Sequence, residues 1–135
     1  MTAEALAAGL EHSITTRLST THDAVLSPAE RTRRFIDAHY AEPLTLDDIA
    51  RAVGCARSYV AATFKREIGD TPHRYIARVR VRRAAELVVH GDKIEAVMLA
   101  VGYRGKKNFY RQFKLETGVT PATYRARTRD VTRRP

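Results

Sequence analysis

An all-α fold is what this sequence predicts. Apolar residues recur at helical spacing, no stretch alternates at the two-residue period of a half-buried strand, and one pattern occurs twice. The first copy runs Ile49-Ala50-Arg51-Ala52-Val53-Gly54, then Phe64-Lys65-Arg66-Glu67-Ile68-Gly69-Asp70-Thr71-Pro72, with Tyr75 beyond. The second runs Val97-Met98-Leu99-Ala100-Val101-Gly102, then Phe113-Lys114-Leu115-Glu116-Thr117-Gly118-Val119-Thr120-Pro121, with Tyr124 beyond. Gly54 and Gly102 lie 48 apart, whereas Phe64/Phe113, Gly69/Gly118, Pro72/Pro121 and Tyr75/Tyr124 lie 49 apart. The second copy therefore carries one extra residue between its glycine and its phenylalanine. Each copy reads as helix, tight turn, helix. The predicted architecture is a seven-helix domain with two helix-turn-helix units joined by a long linker helix.

Residues 1–27 read as an N-terminal extension or linker. Leu6, Leu10, Ile14 and Leu18 recur every four residues there, the spacing of a short amphipathic helix. Ser27-Pro28-Ala29-Glu30 is a start signal: a capping hydroxyl, a proline where its missing N–H costs nothing, and a glutamate that can reach back. A first helix follows to about residue 40, burying Phe35, Ile36 and Tyr40, and Pro43 breaks the chain. Thr45 caps a second helix whose first turn is acidic, and Gly54 ends it. A third helix spans about 57–68. Thr71-Pro72 then opens the linker helix to about 89, with Tyr75, Ile76, Val79, Ala84, Leu87 and Val88 as its buried face.

Asp92 and Glu95 predict a capping box for a fifth helix, which turns at Gly102 into a sixth over about 106–117. A short seventh helix runs from Thr120-Pro121 to about 127. Residues 128–135, with Arg129, Arg133 and Arg134, read as a basic disordered tail. The domain proper is thus 28–127, with its helix-turn-helix units at about 45–68 and 93–117.

Composition narrows the function. At 135 residues with 44% apolar side chains the chain can bury one core, and no apolar run reaches the length of a membrane span. The N-terminus lacks the apolar stretch of a secretory signal. The single Cys55 excludes an internal disulfide and fits a reducing cytoplasm. The formal charge is +9 and uneven: residues 1–27 carry a net −2 and residues 28–135 a net +11. That concentration of positive charge on the repeat points to a polyanionic partner.

A helix-turn-helix unit braces one helix so that the next can offer side chains to base edges in the DNA major groove. Helical spacing gives the second helix of each copy two faces. Val60, Phe64 and Ile68 fall inward in the first, with Ser58, Ala61, Ala62 and Lys65 outward and Arg57 at the start. In the second, Phe109 and Phe113 fall inward, and Lys107, Tyr110, Arg111 and Lys114 outward, flanked by Lys106 and Asn108. Lysine and arginine suit phosphates or the O6/N7 edge of guanine, and Tyr110 suits thymine methyls or a phosphate. The second unit is therefore expected to read bases and the first mainly to position. Successive major-groove faces lie about 34 Å apart, and an 18-residue linker helix spans roughly 27 Å. One monomer could thus occupy both grooves, with any misfit met by bending the DNA.

Over residues 27–127 the sequence resembles the DNA-binding domain of AraC/XylS-type bacterial transcription regulators. The marks are Leu46-x-x-Ile49-Ala50 through Gly54, Phe64-Lys65, and Gly69-x-x-Pro72-x-x-Tyr75-Ile76. They continue with Arg80, Ala84 and Leu87-Val88 on the linker, then Ile94, Val97 and Val101-Gly102-Tyr103. The densest run is Asn108-Phe109-Tyr110-Arg111-Gln112-Phe113-Lys114, with Gly118-x-Thr120-Pro121-x-x-Tyr124-Arg125. The resemblance implies a bacterial, cytoplasmic, nucleoid-associated protein that binds double-stranded promoter DNA and activates transcription through RNA polymerase. It implies DNA contacts from Ser58, Ala61, Ala62 and Lys65 and from Lys106, Lys107, Asn108, Tyr110, Arg111 and Lys114. It implies no cofactor and no membrane, with either a monomer on DNA or a dimer formed outside the core domain. Four positions depart from the family pattern: Ala56 at the third-helix cap, Ala62 where arginine is common, Met98 where a small residue is usual, and Arg104-Gly105 before the sixth helix.

An enzymatic reading finds little in the residues. The methyltransferases that carry a similar module use a cysteine cluster, and Cys55 stands alone. His12, His22, His39, His73 and His90 show no ligand spacing. The remaining alternatives are a protein-interaction module, prompted by Ala61 and Ala62, and nonspecific architectural DNA binding.

Overall fold

Hydroxyl caps start four of the seven described helices. In the computed structural model, which describes residues 25–133, the described residues form seven helices and no strand. They are α1 (Pro28–His39), α2 (Leu46–Val53), α3 (Arg57–Ile68), α4 (Pro72–His90), α5 (Ile94–Ala100), α6 (Lys106–Thr117) and α7 (Pro121–Arg133). The Ser27 hydroxyl accepts from the Glu30 N–H at 3.2 Å, but Glu30 turns to Arg33 at 2.8 Å instead of reaching back. At α2 the box is complete: the Thr45 hydroxyl accepts from the Asp48 N–H, and the Asp48 carboxylate accepts from the Thr45 N–H. Those two bonds hold the Asp48 carboxyl below its ordinary value. The Thr71 hydroxyl caps α4, and the Thr120 hydroxyl accepts from the Thr123 N–H at the start of α7.

Two expectations fail at helix ends. The box expected from Asp92 does not form, because Lys93 is the N-cap of α5 and offers no side-chain bond. Gly91, at φ 104°, folds Asp92 back over the end of α4, so its N–H bonds the Leu87 carbonyl and its carboxylate faces His90 at 3.0 Å. The second correction concerns the tail. Helix α7 does not stop near 127 but continues to Arg133, since no glycine or proline interrupts it between Pro121 and Pro135. The amphipathic stretch expected around Leu6–Leu18 lies outside the described residues, as do 134–135.

Burial divides into two clusters that share α4. The first joins Ala29 and Ile36 of α1, Ile49 and Ala50 of α2, Val60 and Phe64 of α3, and Ile76 of α4. The second joins Val81, Ala84 and Val88 of α4 to Val97, Met98, Val101, Tyr103, Phe109 and Phe113. Val81 is absent from the expected buried face, yet only 2% of it is exposed. Met98 is buried in the second core where Ala50 serves the first. Phe64 and Phe113, 49 residues apart, each meet a tyrosine edge-on, Tyr75 at 5.4 Å and Tyr124 at 5.6 Å.

The extra residue of the second copy sits in its turn. Two residues, Cys55 and Ala56, separate Gly54 from α3, whereas Tyr103, Arg104 and Gly105 separate Gly102 from α6. Tyr103 is 5% exposed and fills the space beneath that longer turn. Gly54 is left-handed at φ 73°, where a side chain would be strained.

Part of the positive charge is structural. The last carbonyls of a helix lack intrahelical partners and sit at its negative end, and three arginines supply both needs. Arg31 donates to the Val53 carbonyl at 3.1 Å and to Leu26. Arg80 donates to the carbonyls of Tyr40 and Glu42 at 2.6 and 2.9 Å. Arg125 donates to the Val88 carbonyl at 2.9 Å and to that of Asp92.

Candidate nucleic-acid interface

Helices α3 and α6 occupy equivalent places in the two units, each with its phenylalanine fully buried and its opposite face open. On α3, Arg57, Ser58, Ala62 and Lys65 are exposed. Arg57 is held by Asp47 of α2 at 3.2 Å, an exposed ion pair that ties the start of α3 to its brace. Ala61 departs from the expectation. It is half-buried and lines an apolar hollow with Leu44, Leu46, Ile49, Pro72 and Ile76. Its place on the helix lies on the flank facing α2 and α4, not on the open face.

On α6, Lys106, Lys107, Asn108, Arg111 and Lys114 are exposed. Arg111 donates to the Asn108 side-chain oxygen at 2.7 Å, so the two present one joined polar surface. Tyr110 is half-buried, edge-on against Phe109 at 5.8 Å, with the Lys106 ammonium 5.9 Å from its ring. It is the counterpart of Ala61 by the 49-residue offset, and both occupy the flank of their helix. Sequence reasoning missed Tyr59, 51% exposed on α3. The same offset pairs it with Asn108, and applying the repeat position by position finds it.

Both helices begin without a side-chain cap, at Ala56 and Gly105. Their first N–H groups remain open for an oxygen from outside the chain. Among the described residues there is no group of three or more His, Cys, Asp or Glu able to hold a metal ion, and no helix long and apolar enough to cross a membrane.

Comparison with known proteins agrees with this geometry. The family described as "Helix-turn-helix domain" matches residues 49–127. The lactose operon transcription activator of Staphylococcus xylosus is 28% identical over 92 residues, which is 67% of this chain and 33% of that protein. The C-terminal domain of AraT, a response regulator from Geobacillus stearothermophilus, superposes with a TM-score of 0.72 at 28% identity, covering 76% of this chain and 86% of that one. The DNA-binding domain of AdpA, solved in complex with a target DNA, shares the fold with a TM-score of 0.74 at 22% identity, covering 82% and 100%. The chain spans about a third of the length of the curated relatives it matches. Two brace helices, two open helices and one shared linker are accordingly an AraC-type arrangement, and the chain belongs to the AraC/XylS family of transcription regulators as a helix-turn-helix DNA-binding domain.

Proposed function

We propose that this domain recognises a specific promoter by inserting α3 and α6 into successive major grooves of one duplex, and that it serves a bacterial activator of transcription. The observation that carries the reading is the repeated open face. Ser58, Ala62 and Lys65 on α3 recur as Lys107, Arg111 and Lys114 on α6, while Val60 and Phe64 of α3 are buried at the positions where Phe109 and Phe113 of α6 are buried. Basic and amide side chains on α6 suit base edges, with Arg111 and Asn108 the readers and Lys106, Lys107 and Lys114 the phosphate contacts. Helix α3 contributes Arg57, Ser58 and Lys65 to positioning, and Ala62 packs where a larger side chain would meet the groove. The activator role is supported by the likeness to the lactose operon transcription activator of Staphylococcus xylosus, and engagement of RNA polymerase is part of the same proposal.

Selection of bound duplexes from a random pool, with Arg111→Ala run alongside, tests the reading. It requires an enriched motif in two halves about one helical turn apart, the better-defined half fading in the variant. Retention of every sequence alike would make the domain an architectural binder, and no retention would make it a protein-interaction module. A promoter carrying the selected motif then tests activation, which should rise with the full-length protein and fall with Arg111→Ala.

A further inference from the structure

Every extensive helix-to-helix contact between the two halves runs through α4: α1 and α3 pack on it from the first unit, and α5, α6 and α7 from the second. A single 19-residue helix would leave the halves free to tilt about it. Polar contacts on two sides of that helix oppose the tilt. On one side, Arg74 and Arg78 reach the carboxylates of both units. Arg78 donates to Asp70, in the turn that ends α3, at 3.0 Å, and Arg74 lies 3.5 Å from the same carboxylate. The same two arginines lie 3.7 and 3.9 Å from Glu116, near the end of α6. Both carboxylates are largely shielded, at 11% and 16% side-chain exposure, where salt screens an ion pair less than at the open surface.

On the other side, about 160° around the helix from Arg78 at 100° per residue, stands Arg80. Its guanidinium spans two carbonyls of the first unit, Tyr40 and Glu42, and lies 5.4 Å from the ring centre of Tyr103 in the second unit. Beside it the backbone of Gly102 comes so close to Ala41 that an added Cβ would stand 3.0 Å from the Ala41 carbonyl oxygen.

We infer that Arg78 and Arg80 are positioning residues that fix the angle between α3 and α6, and so set the spacing between the two halves of the DNA sequence that the domain accepts. The DNA consequence rests on the two-groove reading above; the fixed angle does not. Tilting α4 one way separates Asp70 from Glu116 and loosens the arginine clamp. Tilting it the other way pulls Arg80 from its carbonyls or drives Gly102 into Ala41. Arg80 contacts backbone oxygens on one side and a buried ring on the other, so lysine, with one compact head, cannot replace both.

The test uses two measurements on Arg80→Met and Arg78→Gln. Spin labels at Ala62→Cys and Arg111→Cys, with Cys55→Ser to remove the native thiol, report the distance between the two helices without DNA. A narrow distribution that broadens in both variants supports the inference, with Arg80→Lys falling between. An unchanged distribution in both overturns it. Separately, affinity is measured without labels for duplexes whose half-sites are moved apart base pair by base pair. The unsubstituted protein should show one sharp optimum. In the variants that optimum should flatten, with affinity there falling about tenfold as the effective concentration of the second unit drops, while binding to a single half-site holds. Equal losses on single and paired half-sites would overturn the positioning role. A flat spacing profile in the unsubstituted protein, together with labels that broaden in the variants, would sink the two-groove reading and leave the fixed angle standing.

Discussion

Arg111 is the side chain whose removal tells most. Exposed on α6 and joined to Asn108, it has the planar fork that suits guanine. Arg111→Ala should cost about 1–3 kcal/mol of binding and relax preference at one base position, measured by titration against all four bases there. A uniform loss across sequences would make it a phosphate contact. Phe113→Ala acts differently: the ring is fully buried against Phe109 and Tyr124, so its loss opens a cavity worth about 3–5 kcal/mol of stability, visible as a lower urea midpoint. At this scale the open and buried faces of α6 were legible because helical spacing fixes direction. Ala61 was not, since its flank is covered by α2 and α4 and spacing along one helix does not say what packs beside it. Arg80 resembled any family mark in the sequence; its two carbonyl partners lie 40 and 38 residues away, beyond any local pattern.

Among the elements, α2 depends most visibly on its cap. Eight residues are too few to hold a helix by propensity alone, so Thr45→Ala should lower stability by about 1 kcal/mol, read by thermal or urea unfolding. Asp48 adds a pH signature. Its carboxyl is depressed by the bonds to Thr45, so its contribution is fully present above the unfolded value near 3.8 and is lost as pH falls through the lower folded value. The stability difference between the protein and Asp48→Asn should therefore be constant near neutrality and shrink below about pH 4, followed by unfolding at a series of acid pH values. Helix starts were legible from Ser27, Thr45, Thr71 and Thr120. The Asp92 start failed because a capping pattern does not register that Gly91 has already turned the chain back. The end of α7 is not legible because arginine-rich composition reads as a disordered tail, whereas Ala126 and the arginines are good helix formers and Arg125 docks the helix onto α4.

For the whole molecule, net charge overstates the electrostatic grip on DNA. Arg31, Arg80 and Arg125 spend their donors on helix ends, which leaves Arg57, Lys65, Lys106, Lys107, Arg111 and Lys114 on the candidate faces. Those cations predict a slope of log affinity against log salt of about −5, against about −8 if the whole formal charge took part. Affinity measured across a salt series decides between them, and Lys107→Ala should reduce the slope by about one. A slope near the larger figure would bring Arg127 and Arg129 of α7 onto the phosphates as well.

The shared helix also determines how such domains could be recombined. A hybrid made of one regulator's first unit and another's second would ordinarily be spliced in a loop. Here a loop splice separates α4 from one of its two cores, because Ile76 belongs to the first and Val81, Ala84 and Val88 to the second. The seam belongs inside α4, between Ile76 and Arg80. Arg80 then travels with the second unit and meets a socket made of main-chain oxygens, which every donor sequence supplies. Gly102 asks more of its new neighbour: the loop after α1 must keep the path that Ala41 takes, or the grafted unit will stand at a different angle.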